Sequence, residues 1–271
     1  MSAPSIQSQG MHDHAEIHPS AVVSPRARLG RECSIGPFVI VGDEVTLGDR
    51  VRIDSHCVID GCTTIGDDTH IFPFVSIGLP PQDLKFAGEP SATEIGKRTR
   101  IREFTTVHRG TTGGGGRTVV GDDCFLMAQV HVAHDCIVGN GVIMANAATL
   151  AGHVEVADGA NIGAYSGVHQ FCRVGREAYI GGYSVVVKDA LPFALTVGNH
   201  AKCYGLNKVG VRRRGYSRET IAALHHAFHL LLSAKLNTTQ ALERIREEIK
   251  DVAEVTELVG FVESSKRGVV K

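Results

Sequence analysis

Aliphatic side chains recur along this chain every six residues. They fall at Ile17, Val23, Leu29, Ile35, Val41, Leu47, Ile53, Ile59, Ile65, Ile71 and Ile77, and resume at Ile95, Ile101 and Val107. A last run goes from Val120 through Leu126, Val132, Val138, Met144, Leu150, Val156, Ile162, Val168, Val174 and Ile180 to Val186. Four residues after them comes a second inward series, usually small, as at Ala21, Ala27, Cys33, Cys57, Thr63, Cys124, Cys136, Ala148 and Cys172. A helix repeats near 3.6 residues and a strand near 2, so a sustained period of six fits neither alone. It fits short strands joined by corners, stacked as a solenoid in which three hexads per turn make a triangular prism.

Two segments break the period. The first, "LPPQDLKFAGEPSATE" at 79–94, leaves the coil and returns, with the length of a functional surface loop. The second, "RGTTGGGGRT" at 109–118, lacks the Gly-Lys-Ser/Thr ending of a phosphate loop and reads as a flexible loop. Beyond Val186 the spacing becomes helical, with Ile221, Leu224, Phe228 and Leu231 after a Ser217 cap. Leu242, Ile245 and Ile249 follow Asn237, which Gln240 pairs as a capping box. The expected organisation is a flexible extension over 1–16, a β coil over 17–195 and a small helical domain over 196–271.

Composition narrows the function classes. Net charge is −1 over 271 residues, so no global basic field points to nucleic acid, and no apolar run approaches the ~20 residues of a membrane span. The first sixteen residues lack the basic start and apolar middle of a secretory signal, which predicts a cytoplasmic protein. Seven cysteines without a CxxC pair argue against a disulfide framework or a zinc knuckle, and five of them fall in the inward series.

The stretch "HVAHDCIVGNGVIMANAATLAGHV" at 131–154 concentrates candidate chemistry. Positions eighteen apart lie one turn apart, about 4.8 Å up the axis by strand spacing, so His134, Gly152 and Gln170 form one vertical stack. Glycine in its middle leaves a gap and exposes a backbone N–H. His131, Asp135, His153, His169 and Gln170 gather around it. His108 and His226 stand outside this cluster and read as ordinary surface histidines.

The segments "PPQDLKF", "HVAHDC", "ATLAGHV", "VHQF", "GNHA" and "RRRGYSRE", in this order over residues 17–271, resemble the UDP-N-acetylglucosamine O-acyltransferases. The resemblance implies a left-handed parallel β-helix of hexapeptide repeats with a C-terminal α-helical domain. It implies transfer of an (R)-3-hydroxyacyl chain from acyl carrier protein to the 3-hydroxyl of UDP-N-acetylglucosamine, the first step of lipid A biosynthesis. By the same resemblance His134 is the general base, Asp135 its supporting carboxylate and Gly152 the oxyanion donor. Gln82, Asp83, Lys85, His131, His153, His169 and Gln170 match substrate contacts, and Asn207, Arg213 and Arg214 match residues near the nucleotide. Gly182 matches the floor of the acyl groove, where glycine accompanies longer chains. No cofactor or metal is implied. The family forms homotrimers with sites between subunits, and the separate loop carrying Asp83 and Lys85 reads as a neighbour's contribution. Val209 departs from the glutamate expected two residues after Asn207.

The chemistry fits without the name, since a thioester is already activated and needs only a base for the acceptor and a donor for the oxyanion. Three alternatives stay open from sequence. The related N-acyltransferase carries a large N-terminal domain for which sixteen residues leave no room. A zinc hydratase of the γ-carbonic anhydrase type would need a different histidine spacing. A non-catalytic solenoid leaves the polar corner unexplained.

Overall fold

A computed structural model describes residues 15–271, so the extension expected over 1–16 lies almost wholly outside the described residues. From Glu16 the chain winds as a left-handed parallel β-helix. Its short strands form sheets of 11, 9 and 8 strands, one for each face of the prism. The first face begins at Glu16–Ile17, the second at Val22–Val23 and the third at Arg28–Leu29. Strand structure continues to Lys202–Leu206, which turns back antiparallel on Ala194–Val197.

Register follows from the inward aliphatics. Leu150 stands opposite Val132 on one side and Val168 on the other, so each turn consumes eighteen residues. Ala92–Ile95 pairs with Cys62–Ile65 below and Arg117–Val120 above. Segments 80–91 and 109–116 therefore bulge out between turns without breaking the stack.

A two-residue strand points one side chain in and one out, and the inward members, among them Ile65, Ile71, Leu126, Met144 and Leu150, are fully buried. The second inward series is small because it fills the corners. Cys33, Cys57, Cys124, Cys136 and Cys172 are all buried there, whereas Cys62 is exposed. The Cys136 thiol donates to the carbonyl of Ala151 at 3.1 Å. Burial pushes the thiols of Cys57 and Cys124 up to about 11 and that of Cys136 up to about 12, which leaves them without thiolate character.

The three corners carry different chemistry. Between the first and second faces, Phe38, His56, Phe74 and Phe104 stack at centroid spacings of 5.0, 4.9 and 5.1 Å. Between the third and first, ion pairs such as Arg50–Asp68 (2.6 Å) and Arg98–Asp123 (2.7 Å) link successive turns. The corner between the second and third faces holds Asp135, His153 and Phe171, one residue per turn, all with left-handed backbone (φ 59°, 62° and 63°). β-Branched residues are absent from the left-handed positions among the described residues, as their steric cost there requires.

Four helices close the top: α1 (Lys208–Arg213), α2 (Arg218–Leu232), α3 (Thr238–Glu248) and α4 (Ala253–Glu263). Ser217 caps α2, and Asn237 with Gln240 forms the reciprocal capping box of α3. Leu191 and Phe193 of the last coil pack with Leu224, Phe228, Leu242, Ile245 and Leu258. Arg176 clamps the two parts together, reaching Glu257 at 2.6 Å and the Tyr216 hydroxyl at 2.7 Å. The chain then returns to the coil, where the Val270 N–H donates to the Asp189 carbonyl at 2.8 Å. None of the described helices is long and apolar enough to cross a membrane.

Candidate active site

His134 and Asp135 share the second-to-third corner and meet directly. His134 Nδ1 lies 2.8 Å from Asp135 Oδ2, although neighbours in an extended chain point apart. The left-handed turn at Asp135 folds its carboxylate back beneath the ring. The Asp135 side chain is fully buried and that of His134 is 16% exposed, so the dyad has one solvent-facing edge. His153, one turn up, brings its Nδ1 to 3.8 Å from the same carboxylate oxygen and stacks on Phe171 at 4.4 Å.

Gly152 is the gap in the stack. A Cβ added there would lie 2.6 Å from His134 Cε1 and 2.8 Å from Nε2, so the imidazole lies against the bare Gly152 backbone. The carbonyl of Gly152 accepts from the Phe171 N–H at 3.2 Å, while its own N–H donates to no backbone carbonyl among the described residues. The His134 imidazole and the Gly152 backbone thus lie side by side, and a base beside an amide donor is what acyl transfer from a thioester needs.

The glycine run is not a free loop. Thr111 donates its N–H to Asp135 Oδ1 at 2.8 Å and its hydroxyl to Oδ2 at 2.7 Å. Thr118 accepts the Asp135 N–H at 2.8 Å. Gly114 covers the carboxylate so closely that a Cβ would fall 2.0 Å from Asp135 Cγ. Thr111, Gly114 and Thr118 are positioning residues that sequence reasoning missed; the only signal was a glycine run between the Thr111–Thr112 pair and Thr118. His134, Asp135 and His153 bring potential ligand atoms within 4.8 Å of one another, close enough to share a cation. Both Asp135 oxygens are already committed to Thr111 and His134, however, which favours a hydrogen-bonded dyad over a metal cage.

The loop at 80–91 packs on its own chain. Arg109 lies over the Phe86 ring at 5.4 Å, and the Glu89 carboxylate accepts the Ala87 N–H at 2.9 Å. Asp83 is near enough to His153 to favour that ring's charged form, against burial, which outweighs it and keeps His153 below its ordinary value. Lys85 donates its N–H to Asp83 at 3.0 Å, and Gln82 stands in the same loop. Within one chain the loop lies beside that chain's own corner, with Arg109 against Phe86 and Asp83 near His153.

His131 points outward from the second face and bonds the Thr106 hydroxyl at 2.7 Å. His108 is buried, not a surface residue as expected, and stands opposite Leu79, where the first insertion leaves the coil. It meets the His131 ring edge-on at 5.2 Å, and burial, then His131 and His134, lower it to about 4. His226, by contrast, is exposed and pairs with Glu248. His169 and Gln170 stand two turns above His134 and are exposed; His169 Nδ1 lies 3.1 Å from the Gln170 carbonyl and 3.4 Å from the Arg267 guanidinium.

Asn207, Arg213 and Arg214 are not brought to this corner. They line a cleft of about 890 Å³ on the first face, with Ile143, Asn161, Tyr179, Tyr204 and the exposed Val209. Asn207 Oδ1 is occupied there, accepting the Gly210 N–H at 3.0 Å as the cap of α1.

Known proteins bear on this arrangement. Residues 189–270 match the family model described as "Udp N-acetylglucosamine O-acyltransferase; Domain 2", and residues 117–152 match "Bacterial transferase hexapeptide (six repeats)". The chain is 48% identical over 217 residues to acyl-(acyl-carrier-protein)–UDP-N-acetylglucosamine O-acyltransferase of Thermodesulfovibrio yellowstonii, covering 80% of this chain and 84% of that one. It is similar to the solved UDP-N-acetylglucosamine acyltransferase of Bacteroides fragilis (40% identity, TM-score 0.92, 94% of this chain and 100% of that one). The enzyme of Campylobacter jejuni is also similar (38% identity, TM-score 0.89, with the same coverage).

Thr111→Val keeps the backbone donor but removes the hydroxyl from Asp135. Turnover is expected to fall by roughly tenfold or more, the scale of one hydrogen bond to a charged group, with Thr111→Ser restoring it. Steady-state kinetics on the two variants checks this, and equal turnover in Val and wild type would free Asp135 from the loop.

Proposed function

The chain belongs to the UDP-N-acetylglucosamine O-acyltransferase family, and we propose how its corner carries out that reaction. The enzyme transfers an acyl chain from acyl carrier protein to UDP-N-acetylglucosamine, the first step of lipid A biosynthesis. In our reading the chain is an (R)-3-hydroxyacyl group and the acceptor is the 3-hydroxyl of the sugar. His134 takes the hydroxyl proton through Nε2 as the oxygen attacks the thioester carbonyl. Asp135 fixes the ring through Nδ1–H and stabilises the imidazolium that forms. The Gly152 N–H donates to the oxyanion, and collapse of the tetrahedral intermediate expels the carrier's thiol, which recovers the proton from His134. The observation that carries this reading is the His134–Asp135 pair lying against the Gly152 backbone. His131, His153, His169, Gln170, Gln82, Asp83 and Lys85 contact substrate from the same chain.

The nucleotide residues Asn207, Arg213 and Arg214 act across a subunit boundary in a homotrimer. This is supported by their position on the first face, away from the catalytic corner of their own chain; a head-to-tail ring brings one chain's first face to the next chain's corner. Arginine pairs well with a diphosphate. Mixing His134→Ala subunits with Arg213→Ala subunits should rebuild one composite site per mixed trimer, so activity returns where neither variant alone has it. Verified mixed trimers that stay inactive would mean a site built within one chain.

Gly182 limits acyl length. It stands above Ala164, three turns above the level of His131, about 14 Å at ~4.8 Å per turn. Its backbone is not left-handed, and a Cβ would lie 3.3 Å from the Ala164 carbonyl, so the turn itself does not demand glycine. Gly182→Met is expected to move donor preference toward shorter chains, read by product mass over a panel of acyl carrier protein thioesters. An equal loss for every length would contradict a ruler.

A further inference from the structure

Residues 109–111 sit where the first insertion and the His134–Asp135 pair meet. The Arg109 N–H donates to the Leu79 carbonyl at 3.2 Å, where the 80–91 loop leaves the coil, and the Gly110 N–H donates to the Ala92 carbonyl at 3.2 Å, where it returns. Thr111 then holds Asp135 by backbone and hydroxyl. Between those two ends the Arg109 side chain lies over Phe86, in the middle of the loop, at 5.4 Å. Resting on the acyl-transfer reading above, we propose that Arg109 is a positioning residue of the acceptor site: its guanidinium, stacked on Phe86, orders the loop that carries Asp83 and Lys85 before UDP-N-acetylglucosamine binds.

Two glycines build the slot for the guanidinium. A Cβ at Gly61 would fall 2.5 Å from Arg109 Nη1 and 3.3 Å from its Cδ, so bare backbone is what admits the side chain, and the φ of 63° there suits glycine as well. Gly78, with φ 79°, accepts from Nη1 at 3.3 Å, and a Cβ there would fall 2.0 Å from the Asp60 carbonyl oxygen. Arg109 Nε is buried with no hydrogen-bond partner among the described residues. Unlike Arg102 and Arg117, which pair with Glu103 and Glu94, Arg109 has no carboxylate partner among the described residues. A charge is costly to bury without partners, and the face of Phe86 supplies the remaining attraction through its ring quadrupole.

Within the loop the bonds are local. The Phe86 N–H donates to the Asp83 carbonyl at 3.0 Å, the Lys85 N–H to Asp83 Oδ1 at 3.0 Å and the Ala87 N–H to Glu89 Oε2 at 2.9 Å. Pro81 is buried at the root, but from Gln82 to Ser91 no residue is, and Leu84 is fully exposed. Ordering such a segment costs conformational entropy. Where Arg109 and Phe86 meet that cost in the free protein, the substrate does not have to. Without them the competent fraction falls, and apparent acceptor affinity falls with it. Once the acceptor is bound, the step carried by His134 and Asp135 is unaffected.

Two variants of the full-length protein test the contact from its two sides. Arg109→Met keeps an unbranched stem and removes the charge, and Phe86→Leu keeps apolar bulk and removes the ring. Each is expected to raise KM for UDP-N-acetylglucosamine by roughly 2- to 30-fold, the span of a cation–π contact. Turnover at saturating acceptor and KM for the acyl carrier protein thioester stay within about twofold of wild type. The double variant does no more than the worse single one, because both remove the same contact, and Phe86→Tyr keeps the wild-type KM. Hydrogen exchange over 80–91 in the free protein quickens in both single variants, a readout that needs no catalysis. Should Arg109→Met fail to fold, Phe86→Leu, on an exposed loop, decides alone. Faster exchange with weaker UDP-N-acetylglucosamine binding by calorimetry upholds the role even if no acyl transfer is detected, which would fault the catalytic reading alone. Additive losses in the double variant, or unchanged exchange in Phe86→Leu, overturn it. So does a fall in kcat with KM unmoved, which would make Arg109 a support of the fold and not of the acceptor site.

Discussion

Everything in this molecule depends on the eighteen-residue register of its coil. Parallel pairing fixes one residue above another at strand spacing, so a side chain's partner is set by sequence distance and not by a flexible loop. Ile, Leu and Val at every sixth position hold that register, because a slip of one residue would turn the inward set outward. His134, the base we propose, inherits its precision from those buried aliphatics. His134 faces Gly152 because Val132 pairs below Leu150.

A rigid ladder positions Cα atoms but does not by itself aim a carboxylate. The two inserted segments supply the aim. Thr111 and Gly114 bury Asp135 and occupy both its oxygens, so its remaining direction is toward His134. A buried carboxylate holding one nitrogen of an imidazole leaves the other nitrogen as the base, and low local dielectric strengthens that pairing. The loop bearing Asp83 and Lys85 leans on the same segment through Arg109, which puts the proposed acceptor contacts and the proposed base on one support.

The coil was legible because period six is a global pattern, repeated in every turn. It predicted the five buried cysteines and the stack of His134, Gly152 and Gln170, while the helical spacing beyond Val186 predicted the two helix caps. Features that depend on where an insertion lands were not legible. Thr111 meets Asp135 across 24 residues of chain and His108 is buried opposite the root of an insertion, and neither obeys the repeat. Arg267 reaches His169 across 98 residues only because the tail folds back onto the last coil. The place of the Arg213 cleft was hidden for another reason: Asn207, Arg213 and Arg214 follow the last hexad, and the chain beyond the coil returns them to the first face, which no hexad count reaches.

The central claim is that bare backbone at position 152 lets the base and an amide donor share one space. Gly152→Ala tests it most directly, since the backbone there is not left-handed and accepts alanine, while the new methyl collides with the His134 ring. Single-turnover acyl transfer with saturating UDP-N-acetylglucosamine is the measurement. The account predicts a fall of roughly 100-fold or more, the scale of a misplaced catalytic group, with thermal unfolding and nucleotide binding close to wild type. Turnover near wild type in a folded Gly152→Ala protein would contradict it.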